Sequence, residues 1–494
     1  MKTSIGASIE SPNGFPLTDI IENIKGHKHT LVTGPPGTGK SKLLLDLYDR
    51  LLAERVPVVK LAPTHSASKR INGKTIHSFF QINPYDERMK FTGFSGIIII
   101  DEISMVPRSL FDVLFAHLNT RSVFVLFGDF CQLPPVSNNS TFSIEDLANT
   151  FRDNMKYERD DILSCIDIYS RIKNFIFTSS FFQQLHIIRL THVYRTKNAD
   201  LLDLYIAARN GDLVFDDMSI KIAKSEDLLS QHHISCVFDI LSDIKVDIDY
   251  NSTLLSKYRS SESDGIVMLP CLEEFRDTVI LASTYSCIDA LYKALNLEYV
   301  HISKTETIDN ETKDASRDAS KDASTVYYNK LYFYPSQRVK IVEKTSGIAK
   351  YTIGVILGYD EEADAMVVAC PTEDHATVQT KDEIRLTEGG PDEIRLTAYK
   401  IYKVKKITIK QKIVNYPFQP LDMMSIHKAQ GQEFSTVIVV VDNLFELGHF
   451  YTAITRAKEK LILAYLSKKN IKTKGFNRTI YNTQEVNINV SEVI

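Results

Sequence analysis

The sequence is poor in the residues that mark several protein classes. Its 494 residues include no tryptophan, 20 glycines and 16 prolines, which excludes a collagen-like or wholly low-complexity chain. The six cysteines form no Cys-x-x-Cys pair, so we expect neither a disulfide framework nor a zinc ribbon. No apolar run reaches the roughly 18 residues that a membrane helix needs, and the first ten residues lack the apolar core of a signal peptide. These absences predict a soluble intracellular protein without a membrane partner and leave nucleus or cytoplasm open.

Charge is also close to balanced. The chain carries 58 basic and 62 acidic residues, for a net charge of −4. No global positive field therefore attracts nucleic acid, and any polyanion must be held in a local groove. Hydrophobic residues make up 44% of the chain and charged residues 24%, which is typical of globular proteins. At roughly 150 residues per domain, the length predicts about three domains.

The first motif is a phosphate-binding loop. Residues 34–41 fit the pattern G-x-x-x-x-G-K-[ST], between a short β run and leucines at helical spacing. A strand, loop and helix in this order point backbone N–H groups and a helix N-terminus at phosphates. The predicted nucleotide-binding residues are Gly34, Pro35, Pro36, Gly37, Thr38, Gly39, Lys40 and Ser41. Lys40 is expected to reach the β- and γ-phosphates, and the Ser41 hydroxyl to bind Mg²⁺.

Two further apolar runs end in polar residues. Residues 97–100 are four isoleucines followed by Asp101 and Glu102, as expected for a parallel strand that is covered on both faces. Asp101 is predicted to hold Mg²⁺ through water, and Glu102 to position and deprotonate the attacking water. Residues 123–127 form a third run, and Gln132 follows it. Gln132 is predicted to sense the γ-phosphate or this water.

Seven segments in order resemble superfamily 1 helicases of the RecD/Pif-like, five-prime to three-prime branch, which includes phage Dda. Besides the phosphate-binding loop, the segments that match the family's motifs are 62–65, 75–80, 101–106, 128–136, 190–195, 425–434 and 451–458. The resemblance implies an α/β fold in which two RecA-like domains hold ATP and Mg²⁺ in the cleft between them. It also implies that Arg195 and Arg456 are arginine fingers, a role worth on the order of 10³ or more in rate in related NTPases. Gln430, Gly431 and Glu433 are predicted by the same resemblance to contact the nucleotide.

The resemblance also implies a track for single-stranded nucleic acid over both domains. Its predicted contacts are Thr64, His65, Thr75, His77 and Phe79 in the first domain, and Thr284, Ser425, His427 and Lys428 in the second. Hydroxyl groups can bond phosphate oxygens, and aromatic rings can stack on bases. Since the chain has no tryptophan, stacking depends on phenylalanine, tyrosine and histidine. Tyr285 stands where relatives more often carry asparagine.

Taken together, these patterns predict the following organisation: an N-terminal tail at 1–13, a first RecA-like domain at 14–180, the first part of a second RecA-like domain at 181–300, a flexible loop at 301–324, an SH3-like β insertion at 325–413, and the rest of the second domain with a C-terminal tail at 414–494. A short wedge insertion is predicted at 78–95, with Tyr85, Phe91 or Phe94 at its tip. The roles of the repeats at 314–324 and 382–397 stay open.

The predicted function is an ATP-dependent DNA helicase that moves five-prime to three-prime on single strands, in replication, repair or recombination. Its expected partners are single-stranded DNA, duplex junctions and replication or repair accessory proteins, and the chain is expected to be a monomer. An RNA or RNA/DNA-hybrid helicase is the first alternative, because the motor motifs do not distinguish the ribose of RNA from the deoxyribose of DNA. A clamp that does not unwind is the second, although Lys40, Glu102, Gln132, Arg195 and Arg456 together argue against it. Relatives read adenine with a glutamine before the loop. The first glutamine here is Gln81, so the preference for ATP over other NTPs is open.

Overall fold

The structure of the chain is a computed structural model. It describes residues 16–82, 90, 93–118, 122–133, 184–210, 213–216, 219–224, 227–259, 265–295, 297, 301–304, 306–307, 330–372, 396–409, 413–442 and 447–467. The predicted tail at 1–13, the repeat at 314–324 and most of the duplicated segment at 382–397 lie outside these residues. Among the described residues, no helix has the length and apolar character needed to cross a membrane.

The first domain is a parallel sheet of six strands in the order β3-β2-β4-β5-β1-β6. The strands are β1 (Thr30–Thr33), β2 (Val58–Ala62), β3 (Lys74–Thr75), β4 (Gly96–Ile100), β5 (Ser122–Gly128) and β6 (His186–Arg189). The helices are α1 (Leu17–Lys25), α2 (Lys40–Ala53), α3 (His65–Arg70), α4 (Ile76–Phe80) and α5 (Arg108–Leu118).

The isoleucine run of β4 explains the two-faced core of this domain. Ile97 and Ile99 pack into one apolar cluster, which includes the leucines of α2. Ile98 and Ile100 pack into a second cluster on the opposite face of the sheet. Because successive side chains of a strand point to opposite faces, a strand covered on both sides is apolar at every position. The prediction for this segment is therefore confirmed.

The predicted domain boundary at residue 180 is wrong. Strand β6 pairs in parallel with β1, with His186 opposite Thr30 and Arg189 opposite Thr33. It completes the first sheet, so the chain leaves the first domain only after Arg189. The physical reason is that β6 pairs with the free edge of β1 and covers it. Residues 186–189 lie outside the helicase motifs, so the motifs could not predict this pairing.

The second domain is a sheet of seven strands in the order β22-β11-β23-β24-β9-β8-β7, in which the first five are parallel and the last three form antiparallel pairs. Its strands are β7 (Leu213–Asp216), β8 (Ser219–Lys224), β9 (Asp227–Cys236), β11 (Val279–Ala282), β22 (Met423–Ser425), β23 (Phe434–Val440) and β24 (Ala457–Tyr465). Its helices are α6 (Ala199–Asn210), α7 (Val237–Tyr258), α8 (Tyr285–Leu295), α9 (Ile426–Ala429) and α10 (Leu447–Ile454).

A third body, here called the antiparallel sheet, has the order β10-β18-β17-β16-β15-β21. Its strands are β10 (Ile266–Pro270), β15 (Arg338–Ile341), β16 (Ile353–Asp360), β17 (Ala365–Pro371), β18 (Leu396–Val404) and β21 (Phe418–Pro420). Two small sheets beside it contain β12 (His301–Lys304) with β14 (Lys330–Phe333), and β13 (Glu306–Thr307) with β19 (Ile407–Ile409) and β20 (Ile413–Asn415). The predicted limits 325–413 are wrong at both ends, because β10 and β21 lie outside them and supply the two edges of the sheet.

The predicted wedge at 78–95 is described only in part. Its first three residues belong to α4, so any insertion starts later than predicted. Phe94 packs edge-on against Phe79, with ring centroids 5.7 Å apart, and is half-buried rather than an exposed tip. Tyr85 and Phe91 lie outside the described residues.

Tyr205 tests the packing between α6 and the second sheet. Its ring is 2% exposed, and its hydroxyl donates a hydrogen bond of 2.8 Å to the carbonyl oxygen of Ala457. We expect Tyr205→Phe to lower the free energy of unfolding by about 1 kcal/mol, because a buried hydrogen bond is lost without loss of apolar area. Chemical unfolding measures this loss. Tyr250→Phe, at a ring that is 37% exposed, is the matched control; an equal effect there would contradict the assignment.

Candidate nucleotide and nucleic-acid sites

The phosphate-binding loop lies between β1 and α2. Gly37 and Gly39 both have φ of +83°, a left-handed conformation that glycine adopts without strain. A Cβ atom on Gly37 would also lie 2.4 Å from Cβ of Arg195, so this position has no room for a side chain. The sequence prediction of a strand, loop and helix at 29–52 is confirmed.

Lys40 begins α2 and folds back over the loop. Its Nζ donates to the carbonyl oxygens of Gly34 and Pro35, at 2.7 and 2.8 Å. Burial of the ammonium lowers the pKa of Lys40 to about 8, against the opposing effect of Asp129 and Glu102. The lysine is therefore placed at the loop and poised to gain a proton when a phosphate approaches.

Asp101 and Glu102 lie where β4 ends, and both are buried. The backbone N–H of Glu102 donates to Oδ1 of Asp101 at 3.0 Å, and Glu102 itself has a left-handed φ of +52°. This turn aims both carboxylates into one cavity with Lys40 and Ser41. Ser41 and Asp101 carry oxygen atoms of the kind that Mg²⁺ prefers, which fits the predicted roles of Ser41 as a direct ligand and of Asp101 as a ligand through water.

Arg70, at the end of α3, is a residue of this site that sequence reasoning missed. Its Nη2 donates to Oδ2 of Asp101 at 2.8 Å and to Oε1 of Glu102 at 2.9 Å. Its Nη1 donates across the cleft to the carbonyl oxygen of Gly431 at 2.9 Å. Burial raises the pKa of Asp101, whereas Arg70 overcomes burial at Glu102 and lowers the pKa of that carboxyl. No motif position marks Arg70, because its partners are defined only by the fold.

Arg456 approaches the site from the second domain. It is 2% exposed, and its guanidinium donates to the carbonyl oxygens of Thr452 and Gln432, at 2.9 and 3.2 Å. Its Nη2 also lies 3.4 Å from Oε1 of Gln132, at the end of β5 in the first domain. Burial, then repulsion from Arg195, lowers the pKa of Arg456 to about 10.

Arg195 lies in the connection between the two domains. It donates to the carbonyl oxygen of Thr455 at 2.7 Å and forms an ion pair with Glu433. Glu433, predicted to contact the nucleotide, is thus engaged by an arginine in this structure. Gln430 is 7% exposed, and among the residues that the structure describes, neither atom of its side-chain amide has a hydrogen-bond partner.

Eleven of the predicted site residues line one cavity of about 300 Å³ between the two domains. They are Pro36, Gly37, Gly39, Lys40, Ser41, Asp101, Glu102, Gln132, Arg195, Glu433 and Arg456, and Arg70 joins them. The structure therefore brings the predicted catalytic residues together. Their individual roles stay predictions.

A second buried charge pair joins the domains beside this cavity. Asp129, which follows β5, is 0% exposed and accepts from Nη1 of Arg209 on α6 at 2.6 Å and from the hydroxyl of Tyr451 on α10 at 2.9 Å. Burial by itself would raise the pKa of Asp129, but the charge of Arg209 outweighs it and the pKa is lowered. Asp129 also accepts from the backbone N–H of Cys131 at 3.1 Å, so this pair supports the turn that presents Gln132.

The predicted track residues of the first domain lie at the ends of β2 and β3. The hydroxyls of Thr64 and Thr75 cap α3 and α4, each accepting from a backbone N–H at 3.2 Å. The His65 ring stacks on Tyr351 of the third body, with centroids 5.4 Å apart. His77 is half-buried. Phe79 packs on Phe80 at 4.8 Å, so an internal aromatic cluster holds that ring.

The predicted track residues of the second domain lie at the ends of β11 and β22. Thr284 follows β11, and its hydroxyl bonds that of Ser286 at 2.9 Å. Ser425 ends β22, and Lys428 lies with Nζ 5.4 Å from the centroid of the Tyr285 ring. Burial lowers the pKa of Lys428 to about 8. His427 is exposed and meets the His449 ring at 5.1 Å.

In the first domain, the two sets of residues lie at the ends of different strands of one sheet: nucleotide-site residues follow β1, β4 and β5, and track candidates lie at the ends of β2 and β3. In the second domain, track candidates lie at the ends of β11 and β22, and Glu433 of the nucleotide site also follows β22. Ligands of parallel α/β sheets bind at the carboxyl ends of the strands. The fold and the site define a P-loop NTPase with two RecA-like domains and a nucleotide cleft between them.

Comparison with known proteins narrows this class. A family model described as an AAA domain matches residues 18–138, and a model of the UvrD-like helicase C-terminal domain matches residues 420–464. The ATP-dependent DNA helicase Pif1 of Campylobacter jejuni is 22% identical in a match that covers 96% of this chain and 96% of that protein. The ATP-dependent DNA helicase dda of phage T4 is 33% identical over 24% of this chain and 30% of its own length.

Solved structures show the same fold. The crystal structure of Pif1 helicase from Candida albicans has a TM-score of 0.55 and 18% identity, and the match covers 94% of this chain and 98% of that one. The Bacteroides Pif1 complex with ADP-AlF3 and single-stranded DNA has a TM-score of 0.52 and 19% identity, covering 94% and 95% of the two chains. The predicted resemblance is confirmed: over nearly its whole length, the chain is similar to Pif1-like helicases of superfamily 1.

The lowered pKa of Lys40 predicts proton uptake when a nucleotide binds. Near pH 8 a large fraction of the free lysine is neutral, and bound phosphate favours the charged form, so binding takes up protons at this pH and little near pH 6. Calorimetry of ADP binding in buffers of different ionisation enthalpy measures the uptake. Lys42→Gln is the control: it changes a lysine that lines the same cavity, and we expect proton uptake to stay as in the wild type. Buffer-independent enthalpies at pH 8 would contradict the prediction.

The buried pair of Asp129 and Arg209 makes a second prediction. Arg209→Gln leaves a buried carboxylate without its cation, so we expect a loss of about 3–5 kcal/mol in stability. The double variant with Asp129→Asn should recover most of it, because no charge then stays buried. Arg276→Gln breaks a pair whose arginine is 46% exposed and should cost less than about 1 kcal/mol. Thermal unfolding of the wild type, the two single variants and the double variant measures these losses. If the double variant is no more stable than Arg209→Gln, the assigned ion pair is contradicted.

Proposed function

We propose that this chain is an ATP-dependent DNA helicase that moves five-prime to three-prime on single-stranded DNA and unwinds duplex ahead of it. One observation carries the proposal: the phosphate loop and carboxylates of the first domain face Arg456 of the second domain across a single cavity. The full-length likeness to ATP-dependent DNA helicases supports the substrate class.

Hydrolysis uses groups from both domains. Lys40 and the loop N–H groups hold the phosphates. Ser41 would hold Mg²⁺ directly and Asp101 through water, and the ion would neutralise charge on the phosphates. Glu102 accepts the proton of the attacking water, and Gln132 orients that water. Arg456 and Arg195 stabilise the charge of the transferring phosphoryl group.

Movement follows from the position of the cations. Because Arg456 belongs to the second domain while Lys40 belongs to the first, nucleotide between them favours a closed cleft and product release favours an open one. Track candidates on β2 and β3 in one domain, and on β11 and β22 in the other, then approach and separate once per cycle. A strand held alternately by the two sets is stepped along.

The third body is proposed to be the SH3-like insertion of this fold, and residues 78–95 to contain the strand-separating wedge. The antiparallel order of β15, β16, β17 and β18 supports the first assignment. The stacking of Tyr351 on His65 supports a position of this body beside the proposed track, and Tyr351 is a further ring on which a base could stack.

The deciding experiment is steady-state ATP hydrolysis without polymer, with single-stranded DNA and with matched single-stranded RNA, followed by unwinding of duplexes tailed at either end. We expect stimulation by DNA and unwinding only from a five-prime tail. Lys40→Ala should abolish turnover, because the phosphates lose their cation.

Each other outcome names an alternative. Greater stimulation by RNA would favour an RNA track. Stimulation without strand separation would favour a clamp. Unwinding from a three-prime tail would reverse the polarity, and wild-type rates in Lys40→Ala would overturn the nucleotide site itself.

A further inference from the structure

Helix α3 connects the predicted track to the catalytic carboxylates. Thr64 caps its N-terminus and His65 is its first residue, while Arg70 is its last. Six residues of helix span only about 9 Å, so a rigid element with a track candidate at one end has the ion pair of Arg70 at the other. The inference below rests on the proposed function.

At its C-terminal end, α3 holds both carboxylates that hydrolysis needs. The guanidinium of Arg70 lies 2.8 Å from Oδ2 of Asp101 and 2.9 Å from Oε1 of Glu102, and its side chain is 31% exposed. An oxygen of Glu102 that accepts from a guanidinium is engaged with it rather than with water. A guanidinium at Asp101 also competes electrostatically with a divalent cation for the same carboxylate.

Along its length, α3 contacts the antiparallel sheet and Tyr351, which lies between β15 and β16. The ring of His65 stacks on Tyr351, Nζ of Lys69 donates to the carbonyl oxygen of Tyr351 at 3.3 Å, and Nζ of Lys340 lies 3.2 Å from the hydroxyl of Ser66. Tyr351 itself has a left-handed φ of +70°, which costs free energy for a non-glycine residue. A base that stacks on His65 must replace or enter this contact.

The C-terminal end is also tied to the second domain. Nη1 of Arg70 donates to the carbonyl oxygen of Gly431, and a Cβ atom on Gly431 would lie 3.1 Å from that same nitrogen. Helix α3 therefore makes contacts with the first domain, the second domain and the antiparallel sheet.

We propose that Arg70 is a brake on hydrolysis that the nucleic acid releases. Without a strand, α3 is held by Tyr351 and Arg70 engages Asp101 and Glu102. A strand that binds at Thr64 and His65 shifts α3, withdraws the guanidinium, and leaves Asp101 to Mg²⁺ and Glu102 to the attacking water. The device makes ATP turnover depend on a loaded track.

The test is Arg70→Gln, which keeps a hydrogen-bonding side chain and removes the charge. We expect ATP hydrolysis without DNA to rise roughly tenfold, equivalent to about 1.4 kcal/mol, and stimulation by single-stranded DNA to shrink by the same factor. The second readout needs no turnover. Binding of a fluorescent ADP with Mn²⁺ should tighten in the variant without DNA, and in the wild type only when DNA is added.

Arg50→Gln is the matched control, because it breaks an arginine–carboxylate pair, with Glu54, whose arginine is 61% exposed. It should change neither readout. Arg70→Lys keeps a cation, so a basal rate that rises in it as much as in Arg70→Gln would contradict a brake that depends on charge. If Arg70→Gln unfolds, Tyr351→Ala replaces it, because loss of the contact with His65 releases α3 and should raise the basal rate.

Three outcomes would overturn the brake. They are an equal fall of the basal and stimulated rates in Arg70→Gln, which would make Arg70 a supporting residue of catalysis; unchanged rates; and unchanged Mn²⁺-dependent binding. If DNA does not stimulate ATP hydrolysis by the wild type, the proposed function is refuted instead. This measurement is therefore made before any variant is compared.

Discussion

Buried carboxylates between two domains are the constraint on which this nucleotide site depends. Asp101, Glu102 and Asp129 are 2%, 9% and 0% exposed, and an isolated buried carboxylate is costly unless a cation and hydrogen bonds accompany it. Arg70 supplies the cation for the first two, and Arg209 of the second domain supplies it for the third. Arg70 belongs to the same domain as Asp101 and Glu102, whereas the pair of Asp129 and Arg209 joins the two domains, so charge compensation at Asp129 depends on their arrangement.

The parallel sheets explain how the nucleotide cavity and the proposed track lie close together. All strands of a parallel sheet present their carboxyl ends at one edge, so the loops after β1, β4 and β5 meet around the cavity while those after β2 and β3 lie farther along the same edge. Helix α3 follows β2, and the side chain of its last residue, Arg70, donates to Asp101, so this helix links the two regions. The antiparallel sheet, the third body, contacts this helix through Tyr351. It is therefore linked through α3 to Asp101 as well.

Local patterns predicted local structure well. The phosphate loop needs glycine at two left-handed positions and a lysine at the start of a helix, and the isoleucine run of β4 needs cover on both faces; both requirements are visible within a few residues. The predicted resemblance and the α/β class with two RecA-like domains are confirmed. The limits of the bodies were wrong where a strand crosses between them, since β6 closes the first sheet and β10 joins the third. Short edge strands carry no signal of which sheet they will pair with.

The sequence by itself determined the chemistry available to this protein: a phosphate cradle, two adjacent carboxylates, a glutamine and two arginines, each recognisable because its spacing is set by the backbone nearby. Only the tertiary structure decided which cations compensate which carboxylates. Arg70 is 31 and 32 residues from its partners, and Arg209 is 80 from Asp129, and an ion pair at such separation has no sequence period. The physical reason is that hydrogen-bond and strand geometry act over a few residues, whereas the cost of buried charge is met by whatever the whole fold brings within 3 Å.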